Sequence, residues 1–381
     1  MNNVAETCGR YCSGCGLCET VCPVGAISME VRDGNIRPAV SGKCISCGKC
    51  RMYCPNLSNE KFTYKEFADF AYGHSLNEKH RMEAASGGIT SELLSYLVKE
   101  KYVDYIVTAD EYHNDEKGSF CIADCEYDIF SKMGSNYCPI NVGKALTEIK
   151  GKDGTCAIVC LPCLARGIRK LCLEDEILNR KIKYIITLLC NHVPSYNATE
   201  YLKKRYKTEE PNLIKYRGNG WFGFLRFFKV LGGRYSEYFS AGFSEYFSTG
   251  FSEYFWQNAC VLCEDHFGKY SDIAMGDADF VKYRSQEENT GETICFINNL
   301  EMREILKDMQ SKKIISLSQD ASEDELSRIY GPLCTKRADS RNLEQDYIKI
   351  IRMEKKARCL SQLKGILITA TKRVKNIGKQ A

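Results

Sequence analysis

Apolar residues in the middle of the chain recur at two different spacings. In residues 89–101 they return every three or four positions and leave one polar face, which predicts an amphipathic helix. Residues 103–109, 156–161 and 184–189 are short continuous apolar runs, which are typical of buried strands. A second helical pattern, over residues 165–173, lies between the last two runs. Strands and helices that alternate at this spacing predict βαβ units and a mainly parallel sheet.

The same patterns divide the chain into three predicted domains. Residues 1–58 contain nine cysteines and little regular periodicity. Residues 59–340 carry the alternating pattern, and residues 341–381 are basic and helical in character. The predicted fold class is therefore α/β: a mainly parallel sheet domain, preceded by a small α+β domain and followed by a helical tail.

Charge is unevenly distributed along the 381 residues. The net charge is +4, but residues 352–381 contain nine Lys or Arg and one Glu, a local +8, so the rest of the chain carries −4. A net charge of −4 outside the tail argues against a nucleic-acid-binding protein. We expect the tail to be a solvated helix in preference to one that lies on a membrane surface.

Hydropathy and cysteine content narrow the class further. No apolar run approaches the roughly 18 residues that a membrane-spanning helix needs, and the first residues lack the basic and apolar segments of a secretory signal. We therefore expect a cytoplasmic protein. It has 22 cysteines, which in a cytoplasmic chain of this length favours metal binding over a disulfide scaffold.

Eight of these cysteines form two copies of one motif. Cys12-x2-Cys15-x2-Cys18-x3-Cys22 is followed by proline, and the motif recurs 32 residues later. Three thiolates two residues apart can wrap a loop around three corners of a 4Fe–4S cluster, while the fourth points to the other cluster. We expect two such clusters, one held by Cys12, Cys15, Cys18 and Cys54, the other by Cys44, Cys47, Cys50 and Cys22. The alternative is a pair of zinc sites, since zinc also accepts four thiolates.

This spacing is that of a bacterial-type double-cluster ferredoxin, which residues 8–56 resemble. Cys8 is surplus to the motif, and we interpret it as a spare thiol. Farther along, Cys163 and Cys190 each follow the end of a predicted strand, so both are expected at one edge of the sheet although 27 residues separate them. Cys260-x2-Cys263 also has metal-like spacing. A third metal site and buried structural thiols are both consistent with these positions.

An eight-residue unit, FSEYFSTG and its variants, is repeated nearly three times over residues 235–255. Eight residues are too few for a solenoid repeat. We interpret the segment as a tandem expansion that lengthens a loop or hairpin. The alternative is an aromatic platform over a cofactor.

Six segments around the later cysteines resemble the family of coenzyme F420 hydrogenase/dehydrogenase beta subunits, in matching order over about residues 62–300. They are Ser86-Gly87-Gly88-Ile89-Thr90, Gly134-Ser135-Asn136-Tyr137, Val159-Cys160-Leu161-Pro162-Cys163, Leu189-Cys190-Asn191-His192-Val193-Pro194-Ser195, Tyr216-Arg217-Gly218-Asn219-Gly220-Trp221, and Cys260-x2-Cys263 followed by Asp272-Ile273-Ala274-Met275-Gly276-Asp277. Many members also carry an N-terminal double-cluster ferredoxin. The resemblance implies a flavoprotein that binds FAD and one further 4Fe–4S cluster, whose ligands would be Cys163, Cys190, Cys260 and Cys263.

The chain departs from the family pattern in three places. Leu164 stands where Gln is usual, Asn191-His192 replaces His-Gly, and Ala278-Asp279-Phe280 replaces an aromatic-Gly pattern. The first two changes adjoin expected cluster ligands, where neighbouring groups tune a metal site. The third change bears on the part of the site that would face the nicotinamide-like or deazaflavin substrate, so the identity of that substrate is in doubt.

Flavin contacts are expected at two glycine-containing segments and one carboxylate. Ser86, Gly87, Gly88 and Thr90 lie at the start of the predicted helix, where backbone amides attract phosphate, although Gly-Gly before a helix is often only a tight turn. The resemblance adds Gly134, Ser135 and Tyr137. Asp277 follows a strand, a position from which carboxylates contact ribose or ribityl groups.

These expectations define an iron–sulfur flavoprotein oxidoreductase. A flavin can exchange both single electrons and a hydride. Electrons would therefore pass through the clusters to FAD, and FAD would exchange a hydride with a deazaflavin coenzyme, a similar carrier or a substrate. A ferredoxin-like protein or redox subunit is the expected electron partner. The alternatives are an electron-relay subunit without a substrate site of its own and, more distantly, a zinc-binding structural protein.

Overall fold

The computed structural model describes residues 2–57, 64–113, 118–207, 213–221, 223–231, 234–242, 255–261, 263, 265–278 and 290–335. Helices α1–α13 span Val4–Cys8, Leu17–Thr20, Lys49–Met52, Glu78–Glu83, Ile89–Lys99, Glu126–Ser131, Ala145–Gly151, Pro162–Cys172, Glu176–Lys181, Tyr196–Arg205, Asn258–Val261, Leu300–Ser311 and Glu323–Thr335. Short 3-10 helices span Gly9–Tyr11, Pro55–Leu57, Tyr64–Glu66 and Val142–Lys144. Strands β1–β14 span Ile27–Arg32, Asn35–Val40, Asp69–Ser75, Tyr105–Ala109, Tyr112–His113, Phe120–Ala123, Cys156–Cys160, Ile182–Leu188, Leu213–Lys215, Phe224–Leu231, Arg234–Gly242, Ile273–Asp277, Thr293–Ile297 and Ile315–Ser318.

The large sheet has eight strands in the order β14-β3-β13-β12-β8-β7-β4-β6. Its centre is parallel, since β12 pairs with β8, β8 with β7, and β7 with β4. Its flanks pair antiparallel, which corrects the simple picture of successive βαβ units. Antiparallel neighbours such as β12 and β13 need no crossover helix between them. Five strands, β3, β12, β8, β7 and β4, still point the same way, as the predicted α/β class requires.

Helices cover both faces of this sheet because the strands are apolar on both sides. On α5, Ile89, Leu93 and Leu97 are completely buried and lie four residues apart on one face, as the sequence pattern predicts. Together with α12 they cover one side of the sheet. The other side is covered by α7 and α8, whose apolar residues pack on Ile158 and Ile185.

The N-terminal cysteine-rich region packs on the second of these faces. Leu17 is 1% exposed and belongs to the same hydrophobic cluster as α7 and α8. The Leu17 Cδ1 atom lies 2.1 Å from the place where a Cβ on Gly167 would stand, so this contact requires glycine there. Through the hairpin of β1 and β2, Ile36 joins a third cluster that includes Tyr196. The ferredoxin-like region is therefore in close contact with the sheet domain.

A second, antiparallel sheet has the order β11-β10-β9-β5. The first unit of the eight-residue repeat lies in β11, which forms a hairpin with β10. This agrees with the interpretation of the repeat as an extended hairpin. Residues 243–254, which contain most of the later units, and the whole predicted tail domain, residues 341–381, lie outside the described residues. None of the described helices combines the length and hydropathy that a bilayer crossing requires.

Candidate functional site

The two cysteine motifs have the same backbone shape. Gly14 and Ser46, at matching positions, both have positive φ, and so do Gly16 and Gly48, at +82° and +76°. Directly after these glycines the short helices α2 and α3 begin. Left-handed residues at the same two points allow each loop to curl around three cysteines, and glycine adopts them without strain. The internal repeat in sequence is thus an internal repeat in structure.

The first predicted ligand set, Cys12, Cys15, Cys18 and Cys54, is brought together. Burial, together with the neighbouring Cys54 and Cys12, raises the pKa of Cys15 to about 12. Burial also raises the pKa of Cys18, with contributions from Cys15, Cys12 and Cys54. The pKa values of Cys12 and Cys54 are lowered instead, because each interacts with the side chain of Cys8. Four thiols this close together cannot all ionise unless a cation compensates their charge, so this arrangement fits a metal cluster.

Cys8 lies beside this set as a fifth thiol. Its sulfur is 3.9 Å from the Cys54 sulfur, and it also interacts with the Cys12 side chain. The sequence motif gave no reason to expect it there. Its position comes from α1, whose N-cap is Asn3 and whose Val4 packs into the small core around the cysteines.

The second predicted set has one buried member, Cys50, two half-buried members, Cys22 and Cys44, and one exposed member, Cys47. Cys22 and Cys50 pack in the same small core as the first set. Cys47 lies close enough to Cys50 to raise its pKa. Cys44 and Cys47 lie in the loop before α3, and Cys47 is exposed. The two motifs therefore differ in surroundings, since one faces the sheet domain and the other faces outward.

Two parallel strands and one irregular strand pair position the third set. Cys163 follows β7, in the first turn of α8, and Cys190 follows β8. Beyond Cys190 the chain pairs with the segment that precedes Cys260: Pro194 and Trp256 form an antiparallel bridge. The Gln257 amide donates to the Val193 carbonyl oxygen at 3.2 Å.

The other three thiols of this set lie near Cys163. Burial raises the pKa of Cys163 well above its usual value, and Cys263, Cys15, Cys190 and Cys260 raise it further. The sequence predicted the proximity of Cys163 and Cys190 from the sheet edge, and the structure places them together. It also brings Cys15 of the first set next to Cys163, which the sequence did not predict.

Backbone amides point at sulfur atoms in all three sets. Such donors stabilise thiolates and the sulfur ligands of clusters, so they fit a metal-bound state. Nitrogen–sulfur distances are 3.2–3.3 Å for Gly14 to Cys12, Val4 to Cys50, Ala26 to Cys22 and Val193 to Cys260.

His266, three residues after Cys263, is 3% exposed. Its Nδ1 lies 2.7 Å from the Cys190 carbonyl oxygen, and the Cys190 amide donates to the His266 carbonyl oxygen at 3.0 Å. This pair of contacts fixes the backbone at Cys190. The contact joins residues 76 positions apart, so neighbours along the chain do not reveal it.

An ion pair between a buried arginine and a half-buried aspartate lies at the same sheet edge. Arg217 is 6% exposed, and its Nη2 donates to Asp277 Oδ2 at 2.7 Å. Its Nη1 lies 3.4 Å from the Tyr137 hydroxyl oxygen. Burial works against the charge of Arg217, but the Asp277 carboxylate outweighs it and raises the arginine pKa. Burial raises the pKa of Tyr137, and the nearby Cys190 contributes.

Arg217 therefore contacts two of the predicted flavin-binding residues, Tyr137 and Asp277. Tyr137 also lies near Cys190 of the third set. Arg217 itself was missed as a site residue, although it belongs to a segment on which the family resemblance rested. The available signal was a single arginine inside a glycine-rich loop. Gly134 supports this loop, because a Cβ there would stand 2.8 Å from the Arg217 carbonyl oxygen.

The predicted phosphate cradle reaches the same edge but is tightly packed. Ser86 Oγ lies 3.0 Å from Thr293 Oγ1, and the Gly87 amide donates to that same oxygen at 3.0 Å. A Cβ on Gly87 would stand 2.5 Å from the Gly73 carbonyl oxygen. Gly88, with φ +84°, caps α5. The tight-turn interpretation therefore accounts for both glycines, and the Gly87 amide is committed to Thr293.

Sheet register links these residues to the ion pair. Thr293 is the direct partner of Asp277 across β12 and β13. Ser86, Thr293 and Asp277 thus lie side by side, with Arg217 beyond them. Of the remaining predicted contacts, Ser135 is half-buried in the loop of Tyr137, and Thr90 is half-buried in the first turn of α5.

Comparison with known families accounts for almost the whole described chain. Two family models describe the N-terminal and C-terminal parts of the beta subunit of coenzyme F420 hydrogenase/dehydrogenase. The N-terminal model matches residues 70–147, and the C-terminal model matches residues 153–323. Residues 11–58 match a 4Fe-4S dicluster domain.

Individual relatives agree. In Methanosarcina mazei, the F(420)H(2) dehydrogenase contains a subunit, designated F, that is 28% identical over 278 residues, which cover 70% of this chain and 75% of the relative. The coenzyme F420-dependent sulfite reductase of Methanocaldococcus jannaschii is 30% identical over 224 residues, 54% of this chain and 34% of that longer protein.

Among solved structures, a chain of the F420-reducing [NiFe] hydrogenase complex from Methanosarcina barkeri shares the fold. The TM-score is 0.53 at 16% identity, over 72% of this chain and 91% of that one. The chain belongs to the family of coenzyme F420 hydrogenase/dehydrogenase beta subunits and carries a 4Fe–4S dicluster domain at its N-terminal end.

Proposed function

We propose that this chain is an iron–sulfur flavoprotein that exchanges a hydride with coenzyme F420 or a similar two-electron carrier and single electrons with a protein partner. The observation that carries the proposal is a continuous series of sites. Cys15 of the first ferredoxin set lies near Cys163 of the third set, and Cys190 of the third set lies near Tyr137, which contacts Arg217. The names of the relatives, two of which act with coenzyme F420, support this choice of carrier.

The three cysteine sets would each hold one 4Fe–4S cluster. Cys12, Cys15, Cys18 and Cys54 would hold the first, Cys44, Cys47, Cys50 and Cys22 the second, and Cys163, Cys190, Cys260 and Cys263 the third. Clusters carry single electrons, and FAD, when bound, exchanges both single electrons and hydride. The match to a dicluster domain favours iron–sulfur clusters over zinc in the first two sets.

The sheet edge around Arg217 is the proposed flavin site. A buried arginine held by Asp277 presents a fixed positive charge, which suits an anionic phosphate or a ring that gains negative charge on reduction. Ser86, Thr293 and Tyr137 add hydroxyl groups around it. The first turn of α5 brings a helix N-terminus to the same edge, where it favours anionic groups. These residues would bind and orient the cofactor, and no side chain is required to act as an acid or base.

Turnover by the isolated chain tests this proposal. Protein purified without oxygen and supplied with FAD should oxidise reduced coenzyme F420 while it reduces two equivalents of a one-electron dye. The oxidation is followed by the absorbance of the coenzyme, and bound flavin is measured after gel filtration. Full iron content with neither flavin binding nor oxidation would instead support the second candidate, an electron-relay subunit whose partner holds the substrate site.

The relay candidate has one specific observation in its favour. The Gly87 amide, expected to contact a phosphate, donates instead to Thr293, and the glycine itself is required by packing against β3 and β13. The flavin must therefore bind without that amide. A flavin titration decides between the candidates, because a relay subunit would not quench the fluorescence of added FAD.

A further inference from the structure

The two cysteine motifs share one backbone shape but have opposite surroundings. In the first loop, the Cys15 carbonyl oxygen accepts the Gly143 amide at 2.9 Å, and Leu17 is fully buried against the sheet domain. In the second loop, residue 45, which corresponds to Ser13, is Ile45, and its side chain is 61% exposed. Cys47 and Met52 are exposed as well. The second loop is therefore the solvent-facing end of the series of sites.

This exposed loop is also positively charged. No Asp or Glu occurs between residues 34 and 59, whereas Lys43, Lys49 and Arg51 lie in or beside the loop and are exposed. Lys170 of α8 reaches the same place, since its Nζ donates to the Met52 carbonyl oxygen at 2.7 Å. These basic residues outnumber the nearby carboxylates, which are Glu6 of α1 and, on the side of Lys170, Glu174 and Asp175 close to Tyr53.

We infer that the surface formed by Lys43, Ile45, Cys47, Lys49, Arg51 and Met52 docks an acidic one-electron carrier protein. Charge complementarity selects the partner, because a basic rim attracts a protein whose own redox centre lies in an acidic surface. Ile45 and Met52 supply the apolar centre of a small contact, the size typical of transient redox pairs. The inference rests on the proposed function, since it requires a cluster behind Cys47.

The exchange is a single-electron step. With a cluster held by the second loop, one electron would pass from the reduced carrier protein to the oxidised cluster. In the opposite direction, one electron would pass from the reduced cluster to the oxidised carrier. No bond forms or breaks in either case. Two such encounters match one hydride exchanged at the sheet edge. Single electrons would thus be exchanged at the docking surface, and the hydride would be exchanged separately at the sheet edge around Arg217.

Charge reversal tests the docking surface. Stopped-flow mixing of the full-length anaerobic protein with a reduced acidic plant-type ferredoxin gives a second-order rate constant, which is divided by the rate constant with a neutral quinone. The triple variant K43E/K49E/R51E should lower this ratio by about tenfold or more at low salt and flatten its dependence on ionic strength. A matched control, K99E/R180E/K307E, carries the same charge change on exposed positions of other helices and should leave the ratio unchanged.

Several results would overturn the inference. One is an unchanged ratio in the K43E/K49E/R51E variant, and another is an equal fall in the control. If the wild-type protein has its full iron content but accepts no electrons from the acidic ferredoxin, the docking inference is wrong, while the proposed function still stands. If the wild type contains no iron, the proposed function itself fails. Ile45→Asp provides an independent check without changing a basic residue, and it should lower the same ratio.

Discussion

Replacing Gly143 with alanine should disturb the contact on which the series of sites depends. Gly143 lies in the short 3-10 helix before α7, and its amide donates to the Cys15 carbonyl oxygen at 2.9 Å. Its own carbonyl oxygen accepts the Thr20 hydroxyl at 2.8 Å. A Cβ at residue 143 would stand 2.3 Å from the Cys15 carbonyl oxygen and 2.8 Å from the backbone at Gly16 and Leu17.

The size of the effect follows from these distances. Ordinary contact for a Cβ begins near 3.4 Å, so the first cysteine loop must move away by roughly 1 Å, because the atoms in its path are backbone. Overpacking of this kind costs about 1–3 kcal/mol, and the weakened amide contact adds about 1 kcal/mol. The free energy of unfolding should therefore fall by about 2–4 kcal/mol. The separation between the first and third cysteine sets should increase as well.

Anaerobic urea unfolding measures the first effect, and the magnetic coupling between reduced clusters in electron paramagnetic resonance spectra reports the second. Gly151→Ala is the matched control, since no atom lies within 4 Å of the new Cβ at the end of α7. That variant should be as stable as the wild type, or more stable by up to about 1 kcal/mol. Equal stability and unchanged coupling in the Gly143 variant would refute the docking of the first loop on the sheet domain.

Three further outcomes follow from the site. Arg217→Gln should weaken FAD binding roughly tenfold or more while iron stays at the wild-type level, as a flavin titration and an iron assay will show; iron loss in this variant would indicate a structural role instead. In the metal-free protein the pKa of Cys15 is raised from 9.0 to about 12, so the protonated thiol favours the folded state. The contribution of the Cys15 thiol to the free energy of unfolding is complete below about pH 9 and is lost as the pH rises towards 12. Urea unfolding over this pH range should show a smaller decrease in the free energy of unfolding for Cys15→Ser than for the wild type. Cys8→Ala should retain all its iron, because four other thiols complete the first set, whereas Cys54→Ala should lose about four iron atoms.

Local patterns were sufficient to predict the two strands that precede Cys163 and Cys190. Cys163 and Cys190 were expected at one edge because each follows a buried strand, and parallel strands end at the same edge. The curl of the two motif loops was likewise encoded locally, by cysteine spacing and by Gly16 and Gly48. These features depend on residues close together in the chain.

Contacts between distant segments were not predictable in this way. The approach of Cys15 to Cys163 depends on Leu17 packing at Gly167, and nothing in either local sequence indicates that fit. The ion pair of Arg217 and Asp277 joins a loop to a strand end 60 residues away. The glycines after Ser86 resembled a phosphate cradle, although packing of Gly87 against neighbouring strands explains them. Pattern alone could not separate these two uses of glycine.

Iron content of matched cysteine variants tests the central claim most directly. Wild-type protein purified without oxygen should contain about 12 iron atoms per chain in three clusters. Cys163→Ala should contain about eight, whereas Cys160→Ala, which changes a buried thiol three residues earlier in β7, should keep all 12. Full iron content in Cys163→Ala, or the loss of four iron atoms in Cys160→Ala, would contradict the assignment of the third site and the path that runs through it.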